Sequence, residues 1–551
     1  MKVIISCLNS KFVHASLSPW CLLAGVREYS NNEYDTLVME STINGDTEQF
    51  ANEIISEKPD VVAFSCYIWN ITKTLEICSV IKSNHDCRIV LGGPEAAYRP
   101  EDILKKYDFI DYVLSGEGEW TFPDFLDNLN GDLSLVAGIA YRKNGEIITI
   151  PEKEYTETPP SPYSDEFFEN LNGRISYIET ARGCPYRCAF CLSGRCSSLR
   201  FFDIQRVKKD IIKLSNSGTQ TVKFVDRTFN ANAERANEIL LFIKENYGKD
   251  IPSNVCFHFE IAGDILKEST FEILSSMPCG AVQLEIGMQS FNEETLKIIN
   301  RKTDTRKLVE NIRKLISFNN MHIHIDLIAG LTGEDLESFI NSFNIAYSLK
   351  AHMLQLGFLK LLHGAEMREN SEKFPCTFNE EPPYEVTSTP WLSSDEIMML
   401  KNCEDALDRL YNSGRFWLTL DYLVDEVGIL PFDVFNGFGN SVNGNKIKLC
   451  DYAEKLYYFF CDKCDENELK EKILCDLLCC SSSVQIPDVF KTKDPFYKKA
   501  KRHFIENVDK QMKVAVIRSK NQVFAVNQSK EKNLHNRYEG EFYDIDKLNI
   551  N

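Results

Sequence analysis

Three cysteines lie within eight positions of one another, in the segment IETARGCPYRCAFCLSG that covers residues 178–194. Thiolates are soft ligands that favour iron-sulfur clusters, zinc and Cu(I). A loop that carries Cys184, Cys188 and Cys191 can bind three irons of one cubane cluster and leave the fourth iron open to a small molecule. A zinc ion held by the same thiolates and a remote fourth ligand is the alternative that the spacing leaves open.

The composition predicts a multidomain protein of a reducing compartment. The chain has 551 residues, of which 43% are hydrophobic, and its net charge is −19. No window approaches the roughly 18 apolar residues that a membrane helix needs, and the N-terminal apolar run is too short for a signal peptide. We therefore expect a cytoplasmic protein whose 19 cysteines are ligands or buried side chains rather than disulfides. The acidic balance argues against a membrane or nucleic-acid partner.

The order of apolar runs predicts an α/β fold with four regions. Alternating strand and helix patterns in residues 1–130 indicate a doubly wound, Rossmann-like parallel sheet. Residues 131–170 contain an Asn-Gly turn between alternating apolar runs, which predicts a β-hairpin, followed by a Pro-rich linker. Six strand-helix units in residues 171–365 predict a partial (β/α)6 TIM-type barrel, because a closed barrel needs eight. Residues 366–551 show helical patterns and predict a mostly α domain.

The three close cysteines follow the first predicted barrel strand. Ligands of parallel α/β folds bind at the carboxyl ends of the strands, so this position suits a reaction centre. The segment GCPYRCAFC resembles the signature loop of the radical S-adenosylmethionine (SAM) family, with Phe190 in its aromatic position. The resemblance implies that Cys184, Cys188 and Cys191 bind a catalytic 4Fe-4S cluster whose open iron chelates SAM. Reductive cleavage of SAM then gives a 5′-deoxyadenosyl radical, with an electron donor such as a flavodoxin or ferredoxin.

Downstream strand ends are similar to positions that contact SAM in that family. Asp226, in KFVDRTFN, occupies the place that holds the SAM amino group, although the usual Gly-Gly-Glu is absent. Glu285 and Gln289, in QLEIGMQS, are similar to positions near the ribose, and DLIAGLTGED resembles the segment near the adenine. Each of these carboxylates could equally be a helix N-cap or a turn residue.

The N-terminal region resembles the cobalamin-binding domain of one radical SAM subgroup, in the segments IVLGGPEAAY and YVLSGEGEWTF. The resemblance implies that Ser65, Gly92, Gly93 and Gly116 contact cobalamin, and glycines permit close backbone approach to a bulky ligand. The Asp-x-His-x-x-Gly loop that supplies an axial His is missing, and His14 lies nearby at a different spacing. We expect cobalamin without an axial His from the protein. A degenerate domain that binds no cobalamin is the alternative.

A second group of cysteines lies in the C-terminal region, at positions 461, 464, 475, 479 and 480. An auxiliary metal cluster is one interpretation. Apolar residues recur there at helical spacing, so packing on a helix face is the interpretation that the pattern favours.

These features predict a radical SAM enzyme that performs cobalamin-dependent methylation of an unactivated centre in an unknown small molecule or peptide. The runner-up is radical rearrangement, cyclisation or oxidation without methyl transfer. A non-catalytic cobalamin or redox sensor belongs to a different class, and SAM turnover distinguishes it from both.

Overall fold

The fold was taken from a computed structural model that describes residues 1–195, 198–444, 447–480, 484–491, 494–533, 537–548 and 550. The chain forms two compact units. The first contains Met1–Leu284, Lys297–Lys302 and Leu359–Thr387, and the second contains Glu285–Leu296, Thr303–Phe358 and Ser388–Asn551.

A seven-stranded sheet forms the N-terminal part of the first unit, in the order β2-β1-β3-β4-β5-β6-β7. The first five strands are parallel, and β6 and β7 extend the sheet as an antiparallel hairpin. The doubly wound sheet and the hairpin are thus as predicted. The strands are β1 (Lys2–Asn9), β2 (Asp35–Thr42), β3 (Val61–Ser65), β4 (Arg88–Gly92), β5 (Tyr112–Leu114), β6 (Ile139–Lys143) and β7 (Glu146–Thr149).

Helices cover this sheet because its central strands are apolar on both faces: all five residues of β3 are buried. The hairpin turn has positive φ at Asn144 and Gly145, as a two-residue type I′ turn requires. Strand order reverses between β1 and β3, and a doubly wound sheet opens a ligand crevice at such a point. The helices are α1 (Ser18–Tyr29), α2 (Thr47–Ser56), α3 (Ile71–Asn84), α4 (Pro94–Ala97), α5 (Pro100–Lys106) and α6 (Gly118–Asn128).

A second, six-stranded sheet has the order β15-β14-β13-β12-β11-β8 and leaves β8 and β15 as edges, which confirms a partial barrel. Its strands alternate along the chain with helices that carry polar N-caps, such as Asp203 and Asp304. The strands are β8 (Ser176–Ile178), β11 (Thr221–Phe224), β12 (Cys256–Ile261), β13 (Val282–Gln289), β14 (His322–Ala329) and β15 (Met353–Phe358), with β9 (Ala181–Arg182) and β10 (Arg200–Phe201) as a separate pair. The helices are α7 (Asp165–Leu171), α8 (Ile204–Ser215), α9 (Ala233–Asn246), α10 (Glu268–Ser275), α11 (Glu293–Ile298), α12 (Thr305–Ser317) and α13 (Leu336–Ser348).

The C-terminal region is mostly helical, as predicted, but it also contains an antiparallel sheet in the order β18-β19-β20 that was not predicted. Helix α19 packs on one face of this sheet and α20 on the other. The strands are β16 (Thr377–Phe378), β17 (Val386–Ser388), β18 (Met512–Ile517), β19 (Gln522–Asn527) and β20 (Gly540–Asp544). The helices are α14 (Glu366–Glu369), α15 (Ser394–Leu407), α16 (Trp417–Asp421), α17 (Pro431–Val442), α18 (Leu449–Phe460), α19 (Glu466–Cys480) and α20 (Phe496–Asn507).

Candidate functional site

The three close cysteines lie in a loop whose base is the antiparallel pair β9 and β10. Arg182 pairs with Arg200, and Ala181 pairs with Phe201. Gly183 opens the loop with a φ of +99°, a value that favours glycine. We call residues 183–199 the cysteine loop; its residues 196 and 197 lie outside the described part of the chain.

Backbone hydrogen bonds hold the middle of the cysteine loop. The Ala189 N–H donates to the Ile299 carbonyl at 2.9 Å, and the Met367 N–H donates to the Ala189 carbonyl at 2.9 Å. The Cys191 N–H donates to the Cys188 carbonyl at 3.1 Å, which places these two cysteines in one tight turn. The loop is therefore fixed at its centre as well as at its base.

The three thiols have different surroundings. Cys188 is buried, and burial raises the pKa of its thiol, although the nearby Arg301 guanidinium acts in the opposite direction. Arg301 Nη1 lies 3.8 Å from Cys188 Sγ. Cys184 Sγ lies 3.5 Å from the Thr228 hydroxyl, just beyond the end of β11. Phe190, the predicted aromatic neighbour of the cluster, is half-buried.

The donor set fits an iron-sulfur cluster better than a mononuclear zinc site. Within the described ranges, the one group of three ligand side chains with donor atoms all within 4.8 Å of one another is Glu285, His324 and Asp326. The three thiols are spread more widely than that. A tetrahedral zinc ion with Zn–S bonds of about 2.3 Å holds its sulfurs about 3.8 Å apart. Each cysteine of a cubane binds a different iron, so a cluster accommodates the wider spacing.

A cavity of about 690 Å³ lies within the first unit, where the ends of the N-terminal strands face the start of the barrel. Ser65, Gly92, Gly93 and Gly116, which were predicted to contact cobalamin, all line it. Residues of the barrel also line it, namely Tyr177, Glu179, Arg182, Val225 and Arg227.

The glycines of the cavity have different reasons for lacking a side chain. A Cβ at Gly93, where φ is +81°, would lie 2.6 Å from the Cys66 carbonyl oxygen, so the backbone of the domain itself excludes one. A Cβ at Gly92 would approach no atom closer than the Leu114 oxygen at 3.5 Å. Packing within the domain therefore does not require a glycine at position 92, which lines the cavity.

His14 is the one histidine among the residues that line the cavity. Its Nδ1 lies 2.6 Å from the hydroxyl oxygen of Tyr177, a residue of β8. Burial lowers the pKa of the His14 imidazole. Sequence spacing placed His14 outside the usual axial-ligand position but gave no sign of its contact with Tyr177.

Asp226 is buried and hydrogen-bonded at the end of β11. Its Oδ1 accepts the Thr180 N–H at 2.7 Å, and its Oδ2 accepts the Thr180 hydroxyl at 2.5 Å. Burial raises the pKa of Asp226 to about 6, against the effect of the Thr180 hydrogen bonds. These bonds connect β11 to the segment that leads into the cysteine loop. A contact with SAM remains a prediction.

The buried carboxyl of Asp226 predicts a pH-dependent stability difference from the Asp226→Asn variant. Because the folded pKa is raised, this group stabilises the fold while protonated, and the contribution is lost as pH rises through about 6. The difference between the ordinary value of 3.8 and about 6 corresponds to about 3 kcal/mol. We expect the free energy of unfolding of the wild type to fall by up to about 3 kcal/mol, relative to that of Asp226→Asn, between pH 4 and pH 7.

Urea unfolding of the two apo proteins across this pH range measures the difference. Replacement of the exposed Asp395 by Asn is the matched control. A difference in unfolding free energy between the wild type and Asp226→Asn that stays constant from pH 4 to pH 7 would contradict the prediction. It would show that Asp226 is ionised over this whole range.

In the second unit, Glu285 on β13 lies near two residues of β14. His324 Nε2 is 2.9 Å from Asp326 Oδ1, and His324 Nδ1 is 4.0 Å from Glu285 Oε2. His324 is not among the residues that the sequence motifs single out. Gln289 ends β13 with a φ of +68°, and its buried Oε1 has no hydrogen-bond partner among the described residues. A ligand with a donor group would satisfy that oxygen.

The cysteines of the C-terminal region form no compact metal site among the residues that the structure describes. Cys475 and Cys479 are buried in the apolar cluster between α19 and the C-terminal sheet. Burial raises the pKa of both thiols. Packing on a helix face is thus the interpretation that these two positions support.

Comparisons with known families cover most of the chain. Residues 5–126 match the B12 binding domain, and residues 178–344 match the Radical SAM superfamily. Residues 372–550 match a family described as a protein of unknown function, DUF4080. The resemblance to the cobalamin-type radical SAM proteins is confirmed by these matches.

Two curated relatives match about half of the chain. The first is 2-(S-pantetheinyl)-carbapenam-3-carboxylate methyltransferase of Streptantibioticus cattleyicolor, 29% identical over 323 residues. The second is the cobalamin-dependent radical SAM methyltransferase TokK of Streptomyces tokunonensis, 26% identical over 305 residues. In both cases the match covers 51% of this chain and 44% of the relative.

Solved structures share the fold at low identity. The radical enzyme OxsB, with aqua-cobalamin and SAM bound, has a TM-score of 0.62 at 14% identity, over 86% of this chain and 78% of that one. TsrM from Kitasatospora setae, a methyltransferase with cobalamin and a 4Fe-4S cluster bound, has a TM-score of 0.57 at 15% identity. That match covers 68% of this chain and 78% of TsrM.

Proposed function

We propose that this chain, in which a B12-binding domain precedes a radical SAM domain, is a cobalamin-dependent radical SAM methyltransferase. Its acceptor would be an unactivated centre in a small molecule or peptide. The observation that carries the proposal is the 690 Å³ cavity, since one space is lined by the predicted cobalamin contacts and by the barrel strands that lead to the cysteine loop. A shared cavity allows groups held on both sides to meet without exposure to bulk water.

Three groups would bind at the residues described above. Cys184, Cys188 and Cys191 would hold the cluster beside Phe190, and Asp226, Glu285 and Gln289 would contact SAM. Bound together, the cluster and SAM supply a carbon-centred radical, and cobalamin supplies methyl transfer. The unsatisfied Oε1 of Gln289 supports a polar ligand at the end of β13.

On the cobalamin side, Ser65, Gly92, Gly93 and Gly116 would contact the corrin or its nucleotide tail. The glycine at position 92, which lines the cavity and which internal packing does not require, supports this assignment. His14 is engaged through Nδ1 with the Tyr177 hydroxyl. The expectation of cobalamin without an axial His from the protein rests on the sequence, which lacks the Asp-x-His-x-x-Gly loop.

The chain's own residues would orient these groups and exclude water. Apolar side chains of the cavity wall, including Phe64, Leu114 and Phe122, are buried within the domain. They provide a surface of low polarity in which a reactive intermediate is protected from the solvent.

The proposal includes a reductant, such as a flavodoxin or ferredoxin, and a cytoplasmic location. All 18 cysteines that the structure describes have free thiols, which supports a reducing compartment. None of the described helices is sufficiently long and apolar to cross a membrane.

Product analysis of the reconstituted protein tests the proposal. Anaerobically purified chain, loaded with iron, sulfide and cobalamin, is incubated with SAM and a chemical reductant. We expect both S-adenosylhomocysteine and 5′-deoxyadenosine. Formation of 5′-deoxyadenosine alone would instead support rearrangement, cyclisation or oxidation. The absence of both products would overturn the assignment as a radical SAM enzyme.

A further inference from the structure

We propose that Arg182 is a positioning residue that fixes the cysteine loop against the B12-binding domain. It thereby sets the ratio between the two reactions of SAM, methyl transfer, which gives S-adenosylhomocysteine, and reductive cleavage, which gives 5′-deoxyadenosine. Arg182 ends β9, two positions before Cys184. The inference rests on the proposed function, and it assigns a role to an ion-pair network that the sequence motifs leave out.

The Arg182 guanidinium contacts carboxylates from both sides of the cavity. Nε and Nη2 donate to the two oxygens of Glu179, at 2.9 and 2.7 Å, in a bidentate pair just after β8. Nη2 also donates to Glu119 Oε1 at 2.8 Å, and Nη1 donates to Glu117. Glu117 and Glu119 lie at the start of α6, so the guanidinium joins the B12-binding domain to the barrel.

A single carboxylate of the B12-binding domain holds both strands of the loop base. Glu117 Oε2 accepts a hydrogen bond from Arg182 and another from Arg200 Nη2, the latter at 2.6 Å. Arg182 and Arg200 are the paired residues of β9 and β10. Gly116, a predicted cobalamin contact, is the neighbour of Glu117 in the chain. Displacement of this carboxylate would therefore move a wall of the cavity relative to the cysteine loop.

The network is partly buried and contains more carboxylates than guanidiniums. The Glu119 side chain is 6% exposed, and that of Arg182 is 23% exposed. Burial alone would raise the pKa of Glu119, but the Arg182 guanidinium holds it below its usual value. Removal of Arg182 would leave Glu117 with its hydrogen bond to Arg200. It would take from Glu119 and Glu179 the guanidinium that both contact. A lysine could replace the charge but not the planar fork that spans three carboxylates.

Two substitutions test the role, with a matched control. Arg182→Lys keeps the charge and loses the fork, and Glu117→Gln keeps the shape and removes the charge that both arginines share. Arg27→Met removes an exposed arginine that pairs with Glu166 at 2.7 Å, and serves as the control. Each full-length variant is compared with the wild type, first without cofactors and then after reconstitution.

The first readout needs no cofactor. Hydrogen-deuterium exchange of peptides from the cysteine loop is expected to be faster in Arg182→Lys and Glu117→Gln than in the wild type. Peptides from the C-terminal sheet are expected to be unchanged. Arg27→Met is expected to match the wild type in both regions.

The second readout is the product ratio, which loss of folded protein alone would not change. Because small displacements of reacting groups can cost about 100-fold in rate, we expect S-adenosylhomocysteine per bound cobalamin to fall about 100-fold, and 5′-deoxyadenosine by less than about threefold. An unchanged ratio of the two products, whether or not both amounts fall, would overturn the proposal. Unchanged hydrogen-deuterium exchange in the cysteine loop would also overturn it. If the wild type formed neither product, the proposed function would fail, while the exchange data would still decide whether Arg182 holds the loop.

Discussion

Replacement of Cys184, Cys188 and Cys191 by Ala in one variant is expected to abolish cluster assembly and reduce 5′-deoxyadenosine formation to background. Thiolates are the cluster ligands in the proposed site, and an alanine methyl group cannot bind iron. The measurement is iron and sulfide per chain after anaerobic reconstitution, followed by product analysis with SAM and reductant.

The matched control removes three thiols elsewhere. Cys279 is exposed, and Cys376 and Cys450 are partly exposed, so their joint replacement by Ala is expected to leave cluster content unchanged. Undiminished 5′-deoxyadenosine from the first triple variant would remove these cysteines from the chemistry. Retention of one tightly bound zinc ion in the wild type would favour the mononuclear alternative.

Gly183→Ala is expected to destabilise the fold by about 3 kcal/mol or more and to lower cluster occupancy severalfold, because two separate penalties apply at this position. The φ of +99° is strained for any residue with a side chain, and the new Cβ would lie 2.1 Å from the Ser198 carbonyl oxygen. Ser198 lies on the opposite side of the cysteine loop. The substitution would therefore force the two sides of the loop apart.

Gly218→Ala separates the two penalties. Gly218 has a φ of +83°, but a Cβ there would meet no atom within 4 Å. It is expected to cost about 1 kcal/mol from backbone strain and to leave iron content unchanged. Urea unfolding and iron analysis of the two variants measure both effects. Equal destabilisation in both, with full iron content in Gly183→Ala, would show that the loop base can open without consequence.

Much of the architecture could be predicted because its signals are local. Continuous apolar runs such as β3 indicate strands buried on both faces, and the Asn144-Gly145 pair identifies a hairpin turn. The C-terminal sheet could not be predicted in the same way. The two faces of this sheet are buried by α19 and α20, which are separate elements of the chain. The alternation of apolar and polar residues within each strand is too short to predict a strand by itself.

In the candidate site, too, the features that are local in the sequence could be predicted and the contacts between distant residues could not. The three cysteines are close in sequence, so their spacing was sufficient to predict a shared ligand. The contacts of Arg182 with Glu117 and Glu119 connect residues 65 and 63 positions apart, and single side chains give no local pattern for them. The bond between His14 and Tyr177 spans 163 positions. The contacts of Asp226, Glu285 and Gln289 with SAM stay predictions, because the positions of these side chains around a ligand also depend on tertiary structure.

The most direct test of the three-cysteine site is electron-nuclear double resonance of the reduced cluster, with SAM labelled by ¹⁵N in its amino group and by ¹⁷O in its carboxylate. If three cysteines leave one iron open to SAM, both labels are expected to show hyperfine coupling to the cluster. Absence of coupling from either label, in a sample that contains reduced cluster and saturating SAM, would contradict the proposed mode of binding.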